Sequence, residues 1–207
     1  MNFFLLACDL QVKKESAMNE PQNKVDPDQE AAWIKEIAAG NKRAFEQCYL
    51  TYQTKLFRYC FRFLGDQGTS EELVNDIMVA VWKGAGTFQG QSKVSTWIFG
   101  IAHHKVMNMI RGKKQESVEM TEETDLPSSE EMPETTLFRK EQQAQIQQAI
   151  GKLSPIHRSV LELAFYHGFS CQEVSDIMKC PVNTVKTRLF YAKQQLATLL
   201  KGIGDRP

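Results

Sequence analysis

Residues 170–200 read SCQEVSDIMKCPVNTVKTRLFYAKQQLATLL, and this stretch decides the fold. Its pattern predicts a short helix, a tight turn and a longer helix, because apolar residues recur at helical spacing from Val174 onward. Pro181 cannot continue the first helix and biases the residue before it toward an extended conformation. The second helix is expected to begin at Asn183 or Thr184, since either side chain can cap a helix N-terminus. The stretch is therefore predicted to form a helix-turn-helix.

The second helix of this motif has two unlike faces. Its buried stripe is predicted to consist of Val185, Leu189, Ala192 and Leu196. The opposite face is polar and aromatic with cations on both flanks, and comprises Asn183, Thr187, Phe190, Tyr191, Gln194, Lys186, Arg188 and Lys193. Such a face suits the DNA major groove, where polar groups meet base edges and cations meet phosphates. The plainer interpretation is a helical hairpin whose basic face is merely solvated.

Charge is distributed unevenly along the 207 residues, although the formal net charge is zero. Residues 91–115 carry five cations and no acid, residues 114–136 carry one cation and eight acids, and residues 151–201 carry seven cations and three acids. Two basic segments separated by an acidic one indicate two nucleic-acid contacts and a linker extended by self-repulsion. The length suits two small domains.

The N-terminal half is helical throughout its patterned part. Ser70 is expected to cap a helix that continues to about residue 82, and the bend-prone residues 84–91, GAGTFQGQ, form a loop. In the next helix a polar and aromatic stripe comprises Trp97, His104, Asn108 and Arg111. This stripe suits single-stranded nucleic acid, because bases stack on aromatic rings while cations follow the phosphates. The alternative is that Trp97 belongs to the core and the others are exposed polar residues.

Several classes of function lack support in the sequence. We find no phosphate-binding glycine loop, nucleophile motif or metal-ligand spacing, so we expect no enzyme, no cofactor and no metal.

The five cysteines are an odd, scattered set, which predicts free thiols in a reducing cytoplasm. No run is long enough to span a membrane. Residues 2–8, NFFLLAC, lack a basic region and are interpreted as part of a flexible tail, with Met18 as a possible alternative start.

The segments 72–82, 95–111 and 181–196 together closely resemble the extracytoplasmic-function (ECF) group of bacterial sigma-70 family factors. The resemblance implies an all-α fold of two small helical domains joined by a flexible acidic linker, the C-terminal domain being a winged-helix-like, four-helix, helix-turn-helix unit. The expected divisions are a flexible tail at 1–29, region 2 at 30–114, the linker at 115–136 and region 4 at 137–207.

The resemblance also implies a role for each matching residue. Core polymerase would be bound by Asn75, Asp76 and Val79. The −10 promoter strand would be bound by Phe88, Gln89, Gly90, Ser92, Lys93, Trp97, His104, Asn108 and Arg111. The −35 element would be bound by Asn183, Thr184, Lys186, Thr187, Arg188, Phe190 and Tyr191. The family often has Asn at the position of His104, Asp at that of Asn108 and a basic residue at that of Tyr191, so the promoter sequence stays open.

The resemblance implies three partners: core RNA polymerase, promoter DNA and an anti-sigma protein. On the polymerase, the chain would bind the clamp helices of the largest subunit and the flap of the second largest subunit. The chain itself would be a cytoplasmic bacterial protein that does not span the membrane. The alternative is a conventional helix-turn-helix regulator that binds an operator, but the N-terminal half lacks the βα alternation of a receiver domain. A nuclease would need clustered carboxylates or metal ligands, which the sequence does not show.

Overall fold

The computed structural model describes residues 26–116 and 145–204, with side chains placed for 26–112 and 145–200. Within these residues the structure is all-α and contains no strand, as the sequence predicts. The N-terminal half comprises α1 (Pro27–Ala38), α2 (Lys42–Leu64), α3 (Gln67–Gly84), a 3-10 turn (Ala85–Thr87) and α4 (Val94–Glu116). The C-terminal half comprises α5 (145–151), α6 (Pro155–Leu161), a π turn (Glu162–Tyr166), α7 (Cys171–Met178) and α8 (Val182–Gly204).

The N-terminal core forms where α1, α3 and α4 pack around α2. The Asn41 side chain begins α2 by accepting from the backbone N–H of Arg43 at 2.9 Å, and Gly65 ends it in the left-handed conformation with φ of 69°. The Tyr52 hydroxyl donates to Glu30 Oε1 at 2.7 Å, which ties α1 to α2. This packing positions α3 and α4 relative to α2.

The predicted cap of α3 is wrong. The helix begins at Gln67, because the Asp66 side chain accepts from the backbone N–H of Thr69 at 2.7 Å and caps the helix a turn earlier than expected. Ser70 instead lies buried inside the first turn, where its hydroxyl donates to the carbonyl of Asp66. Aspartate caps as well as serine does, and here it comes first in the chain.

The helix-turn-helix forms as predicted, with one shift. Ser170 and Glu173 make a reciprocal capping box at the start of α7, and Lys179 ends that helix in the left-handed conformation with φ of 51°. However, α8 begins at Val182, before the predicted caps Asn183 and Thr184. The reason is that the Pro181 carbonyl already accepts from the backbone N–H groups of Thr184 and Val185.

A π turn changes the register after α6. In the sequence, Val160, Leu161, Ala164 and Phe165 recur at α-helical spacing, which predicts that Phe165 lies in the core. In the structure, however, Phe165 is 36% exposed. The backbone N–H of His167 bonds to the carbonyl of Glu162, five residues earlier, so the turn holds an extra residue. Leu163 and Glu162 are buried in consequence.

The two halves pack against each other along α4 and α7, and one continuous buried core runs through both. Helix α1 begins at Pro27, inside the segment expected to be a flexible tail, and α4 continues to Glu116, inside the expected linker. The rest of the predicted tail and the rest of the predicted acidic linker lie outside the described residues.

Candidate polymerase and promoter interfaces

Helix α3 presents a mixed acidic and apolar face to solvent. Asn75 and Asp76 are exposed, and Val79 one turn later is 48% exposed. The Tyr49 hydroxyl donates to Asn75 Oδ1 at 3.0 Å, and Lys105 Nζ lies 3.6 Å from Asp76 Oδ2. The Asp76 side chain still keeps 69% of its surface accessible. An exposed acid beside an exposed valine suits docking against a basic, amphipathic helix of a partner.

The loop between α3 and α4 is held at its base by aromatic packing. The rings of Phe88 and Trp97 lie 5.1 Å apart and are both half-buried, and a Cβ on Gly84 would come within 3.3 Å of the Trp97 ring. Gln89 and Gly90 are exposed at the tip, where Gly90 takes a left-handed φ of 69°. The base of the loop is therefore fixed, while its tip is open to a ligand.

Three of the four predicted stripe residues on α4 form one chain of hydrogen bonds. Asn108 Nδ2 lies 3.3 Å from His104 Nδ1, and Arg111 Nη2 donates to Asn108 Oδ1 at 2.5 Å. All three side chains are exposed. Trp97 does not join them, since it packs against Phe88 instead. The chain orients the Arg111 guanidinium along the exposed face of α4, where it can meet a phosphate.

Lys93 and Ser92 lie at the end of the same loop, beside the C-terminal half. Lys93 Nζ lies 2.8 Å from Glu173 Oε1 of α7, and this hydrogen bond raises the pKa of the lysine above its usual value. Ser92 Oγ donates to the Lys93 carbonyl at 3.4 Å. A cation expected to contact a promoter strand is thus paired with an acid of the other half.

The predicted outward face of α8 is largely exposed. Asn183, Lys186 and Thr187 are open to solvent, and the Phe190 and Tyr191 rings are 64% and 50% exposed, in an edge-on pair 5.5 Å apart. The other two predicted residues, Thr184 and Arg188, are only partly exposed. Arg188 Nη1 donates to Cys180 Sγ at 3.5 Å. Exposed aromatic rings between polar residues favour an unfilled recognition surface over a merely solvated one.

Sequence reasoning missed a buried polar group where the two halves meet. Glu162 is fully buried, and its Oε1 lies 3.1 Å from Arg62 Nη1 of α2. Burial raises the pKa of Glu162, while the nearby Arg62 lowers it, and the net direction is upward. The signal in the sequence was an acid inside the apolar run 160–165, VLELAF. An ionisable residue in such a run needs a partner, but the sequence does not say which one.

His167 lies beside this pair. Its ring centroid is 4.6 Å from that of Phe99 and 5.7 Å from that of Tyr59, and its Nε2 is buried without a hydrogen-bond partner. Burial, with smaller contributions from Arg62, Lys55 and Arg58, lowers the pKa of His167 to about 3. The imidazole is therefore neutral at neutral pH.

A space of about 1150 Å³ lies between α4 and the C-terminal half. Four of the predicted −10 residues border it, namely Ser92, Trp97, His104 and Arg111, together with one of the predicted −35 residues, Arg188. Cys48 and Cys60 are buried and Cys171 and Cys180 are partly exposed, and all four are free thiols, as the sequence predicts. No helix of the described residues is long and apolar enough to cross a membrane.

These features define a two-domain helical DNA-binding protein whose second domain carries a helix-turn-helix. Comparison with known proteins gives the family. The model of sigma-70 region 2 matches residues 48–116, and the model of sigma-70 region 4 matches residues 143–196. The chain belongs to the sigma-70 family of RNA polymerase sigma factors, in its ECF group.

Relatives of similar length support this assignment. The chain is 28% identical over 183 residues to the RNA polymerase sigma-H factor of Pseudomonas aeruginosa, covering 84% of this chain and 95% of that one. It is 27% identical over 179 residues to the ECF RNA polymerase sigma factor SigW of Bacillus subtilis, covering 82% and 96%.

Solved structures share the fold. CnrH in complex with the cytosolic domain of CnrY matches with a TM-score of 0.64 and 21% identity, over 84% of this chain and 98% of that one. The sigma factor RpoE in complex with the anti-sigma factor NepR, from Bartonella quintana, matches with a TM-score of 0.63 and 24% identity, over 78% and 98%.

Proposed function

We propose that this chain recruits core RNA polymerase to promoters by three surfaces: the α3 face, the loop and exposed face of α4, and the exposed face of α8. The chain acts by recruitment and not by catalysis. The observation that carries the proposal is the α8 face, where Phe190 and Tyr191 stand exposed among polar and cationic residues. A helix that only closed a core would bury these rings.

The α8 face reads duplex DNA at the −35 element. Asn183, Thr187 and the two rings meet base edges in the major groove, while Lys186 meets a phosphate. Phosphate contacts of this kind make the affinity fall as salt rises. Because core polymerase supplies further anchoring, this helix does not have to bind tightly by itself.

The loop and α4 hold the melted −10 strand. The open tip at Gln89 and Gly90, above the fixed Phe88 and Trp97 pair, offers room for an unstacked base. The hydrogen-bonded chain from His104 to Arg111 then follows the phosphates.

The α3 face docks on core polymerase. The exposed Asp76 meets a basic residue of the clamp helices, and Val79 provides apolar contact. Region 4 meets the flap of the second large subunit. An anti-sigma protein is a further partner, supported by the structural match to the sigma factor RpoE, which was solved in complex with the anti-sigma factor NepR. All of these contacts belong in the bacterial cytoplasm, where RNA polymerase acts.

The conventional operator-binding regulator is not favoured. Region 2 and region 4 models match in order along one chain, and relatives of similar length are named as sigma factors. A regulator would share the helix-turn-helix but would have no use for the region 2 surface.

Run-off transcription with purified core polymerase tests the proposal. Specific initiation is expected only when this chain is added. Asp76→Arg should abolish it by placing like charges together at the docking site, whereas Glu46→Arg, an equal charge change at an exposed position of α2, should leave it intact. Unimpaired initiation with Asp76→Arg would remove the docking role of α3.

A further inference from the structure

We propose that Lys179, in the turn between α7 and α8, binds a phosphate of the duplex at the −35 element, and that the chain keeps a lysine there at the expense of stability. The inference rests on the proposed function and deepens it. Lys179 is not among the residues to which the sequence assigned a contact with the −35 element.

The backbone of Lys179 adopts a conformation that lysine seldom takes. Its φ of 51° and ψ of 48° lie in the left-handed region, where the Cβ of an L-residue crowds the following carbonyl oxygen. Every other described residue with a positive φ is a glycine. Glycine, or less often asparagine, is the residue that ends most helices in this conformation. A lysine at this position therefore lowers stability relative to glycine.

The turn itself fixes this conformation. The backbone N–H of Lys179 bonds to the carbonyl of Ser175, and the backbone N–H of Cys180 bonds to the same carbonyl at 3.2 Å. The buried Ser175 hydroxyl donates to the carbonyl of Cys180 at 2.6 Å. Pro181 then prevents the helix from continuing. Because these contacts involve no side-chain atom of Lys179, the turn does not explain why a lysine stands here.

The Lys179 side chain makes no contact within the protein that would offset the strain. It is exposed, and within the described part of the chain its ammonium group takes part in no ion pair, hydrogen bond or aromatic contact. Strained backbone conformations that the surrounding structure imposes are concentrated at functional sites. An exposed cation held in such a conformation points to a partner outside the chain.

The position of the turn suits a DNA phosphate. In a helix-turn-helix bound to duplex DNA, the first helix crosses the backbone and the start of the second helix enters the major groove. The turn between them therefore lies beside the phosphates at the edge of the groove. A lysine ammonium on its flexible stem can meet a phosphate there as a point charge.

The charge around the turn also favours an anion. Residues 177–200 carry four cations and no acid. Lys179 borders the same open space as Arg188, one of the predicted −35 residues. Asp176, the acid nearest to the turn in the sequence, accepts a hydrogen bond from Gln172 at 3.4 Å. A phosphate beside Lys179 would thus meet a surface that is mainly positive.

Phosphate binding is tested with the full chain bound to core polymerase. The probe is a short fluorescent duplex that the wild-type complex has selected from a random-sequence library. Lys179→Asn removes the charge but keeps a residue that tolerates the left-handed region. It should weaken binding about fivefold and reduce the slope of log affinity against log salt concentration by about 0.9, the value for one phosphate.

The matched control is Lys152→Asn. Lys152 is an exposed lysine of the same half, and it lies beside Gln194 and Thr198, well along α8 from the turn. The control makes the same change of charge and should leave both the affinity and the salt slope unchanged. Lys179→Arg keeps the charge and should retain the wild-type affinity within about twofold.

Sequence preference distinguishes a phosphate contact from a base contact. Lys179→Asn should weaken binding by the same factor on the selected duplex and on a duplex whose −35 base pairs are changed. Asn183→Ala, which removes a predicted base contact, should instead reduce the difference between these two duplexes.

Stability provides a readout that a merely solvated lysine would not link to DNA binding. Lys179→Gly should raise the urea midpoint of the free chain by roughly 0.5 M, because glycine has no Cβ to crowd the backbone. The same variant should bind the duplex as weakly as Lys179→Asn does. A gain in stability together with a loss of affinity is expected of a residue kept for function.

The possible outcomes separate this proposal from the proposed function. Wild-type affinity and salt slope for Lys179→Asn, or an equal loss for Lys152→Asn, would overturn the phosphate contact alone. A Lys179→Gly chain that unfolds at the same urea concentration as the wild type, or at a lower one, would overturn the stability cost. If the wild-type chain with core polymerase selects no duplex from the library, the proposed function fails and the phosphate contact fails with it.

Discussion

Acidification should destabilise the folded protein through His167. The pKa of this imidazole is about 3 in the folded chain, against about 6.5 for an unperturbed histidine, because burial and then Arg62, Lys55 and Arg58 disfavour its charged form. The groups that face it from α4 and the loop, Phe99 and Phe169, carry no charge. Below pH 6.5 the unfolded chain binds a proton that the folded chain excludes. Stability is therefore lost as the pH falls below about 6.5.

The size of the effect follows from the two pKa values. Between about pH 7.5 and about pH 5.5, His167 should remove roughly 1.4 kcal/mol from the free energy of unfolding. His103, whose pKa is lowered to about 4 mainly by burial, acts in the same direction. Glu162 acts in the opposite direction, because its pKa is raised and protonation relieves the burial of its charge. The contribution of His167 must therefore be isolated by a difference between variants.

The contribution of His167 is isolated by urea unfolding of the wild type and of His167→Gln at about pH 7.5 and about pH 5.5. The wild type should lose roughly 1.4 kcal/mol more than the variant on acidification, since the variant lacks the titrating group. His104→Gln is the control, because it removes an imidazole that is exposed to solvent. If His167→Gln loses as much stability as the wild type does, the assignment of the pH effect to this residue is wrong.

Three further outcomes are expected. Asp76→Arg should weaken core-polymerase binding about 100-fold in an equilibrium binding assay, while urea unfolding shifts by less than about 1 kcal/mol because the carboxylate is mostly exposed. Lys186→Ala and Arg188→Ala should reduce run-off transcription that depends on the −35 element and leave core binding unchanged; equal loss on a template lacking that element would contradict the role of α8. Tyr52→Phe should lower the free energy of unfolding by about 1–2 kcal/mol in urea titration, because Glu30 loses the hydrogen bond that joins α1 to α2.

Features that depend on residues close together in the chain could be predicted from the sequence. The turn at Pro181 and the stripe around Val185 depend on residues within a few positions of one another. The turn formed as predicted, and Val185, Ala192 and Leu196 of the stripe are buried, while Leu189 is partly buried. The all-α class followed from the same local periodicity. The start of α3 was misplaced because Asp66 and Ser70 both cap helices, and the sequence does not decide between two competent caps.

Contacts between residues far apart in the chain could not be predicted from the sequence. Arg62 and Glu162 stand 100 positions apart, and nothing local to either one names its partner. The π turn was missed because its extra residue leaves no mark in the apolar pattern, which still fits an ordinary helix through Phe165. The same limit applies to Lys93, whose charge indicated a nucleic-acid contact while its pairing with Glu173 depends on how the halves pack.

The π turn makes the contact between the halves sensitive to chain length at a single position. In an α-helix each residue advances the chain by about 100°, so removing one residue from the turn would rotate everything after it relative to α6. Phe165 would swing toward the core, and His167 would leave its place against Phe99. A one-residue deletion would thus disrupt the packing between the halves while the helices within each half and the helix-turn-helix stayed in place. Gain or loss of one residue in this turn would therefore change how the two halves pack against each other.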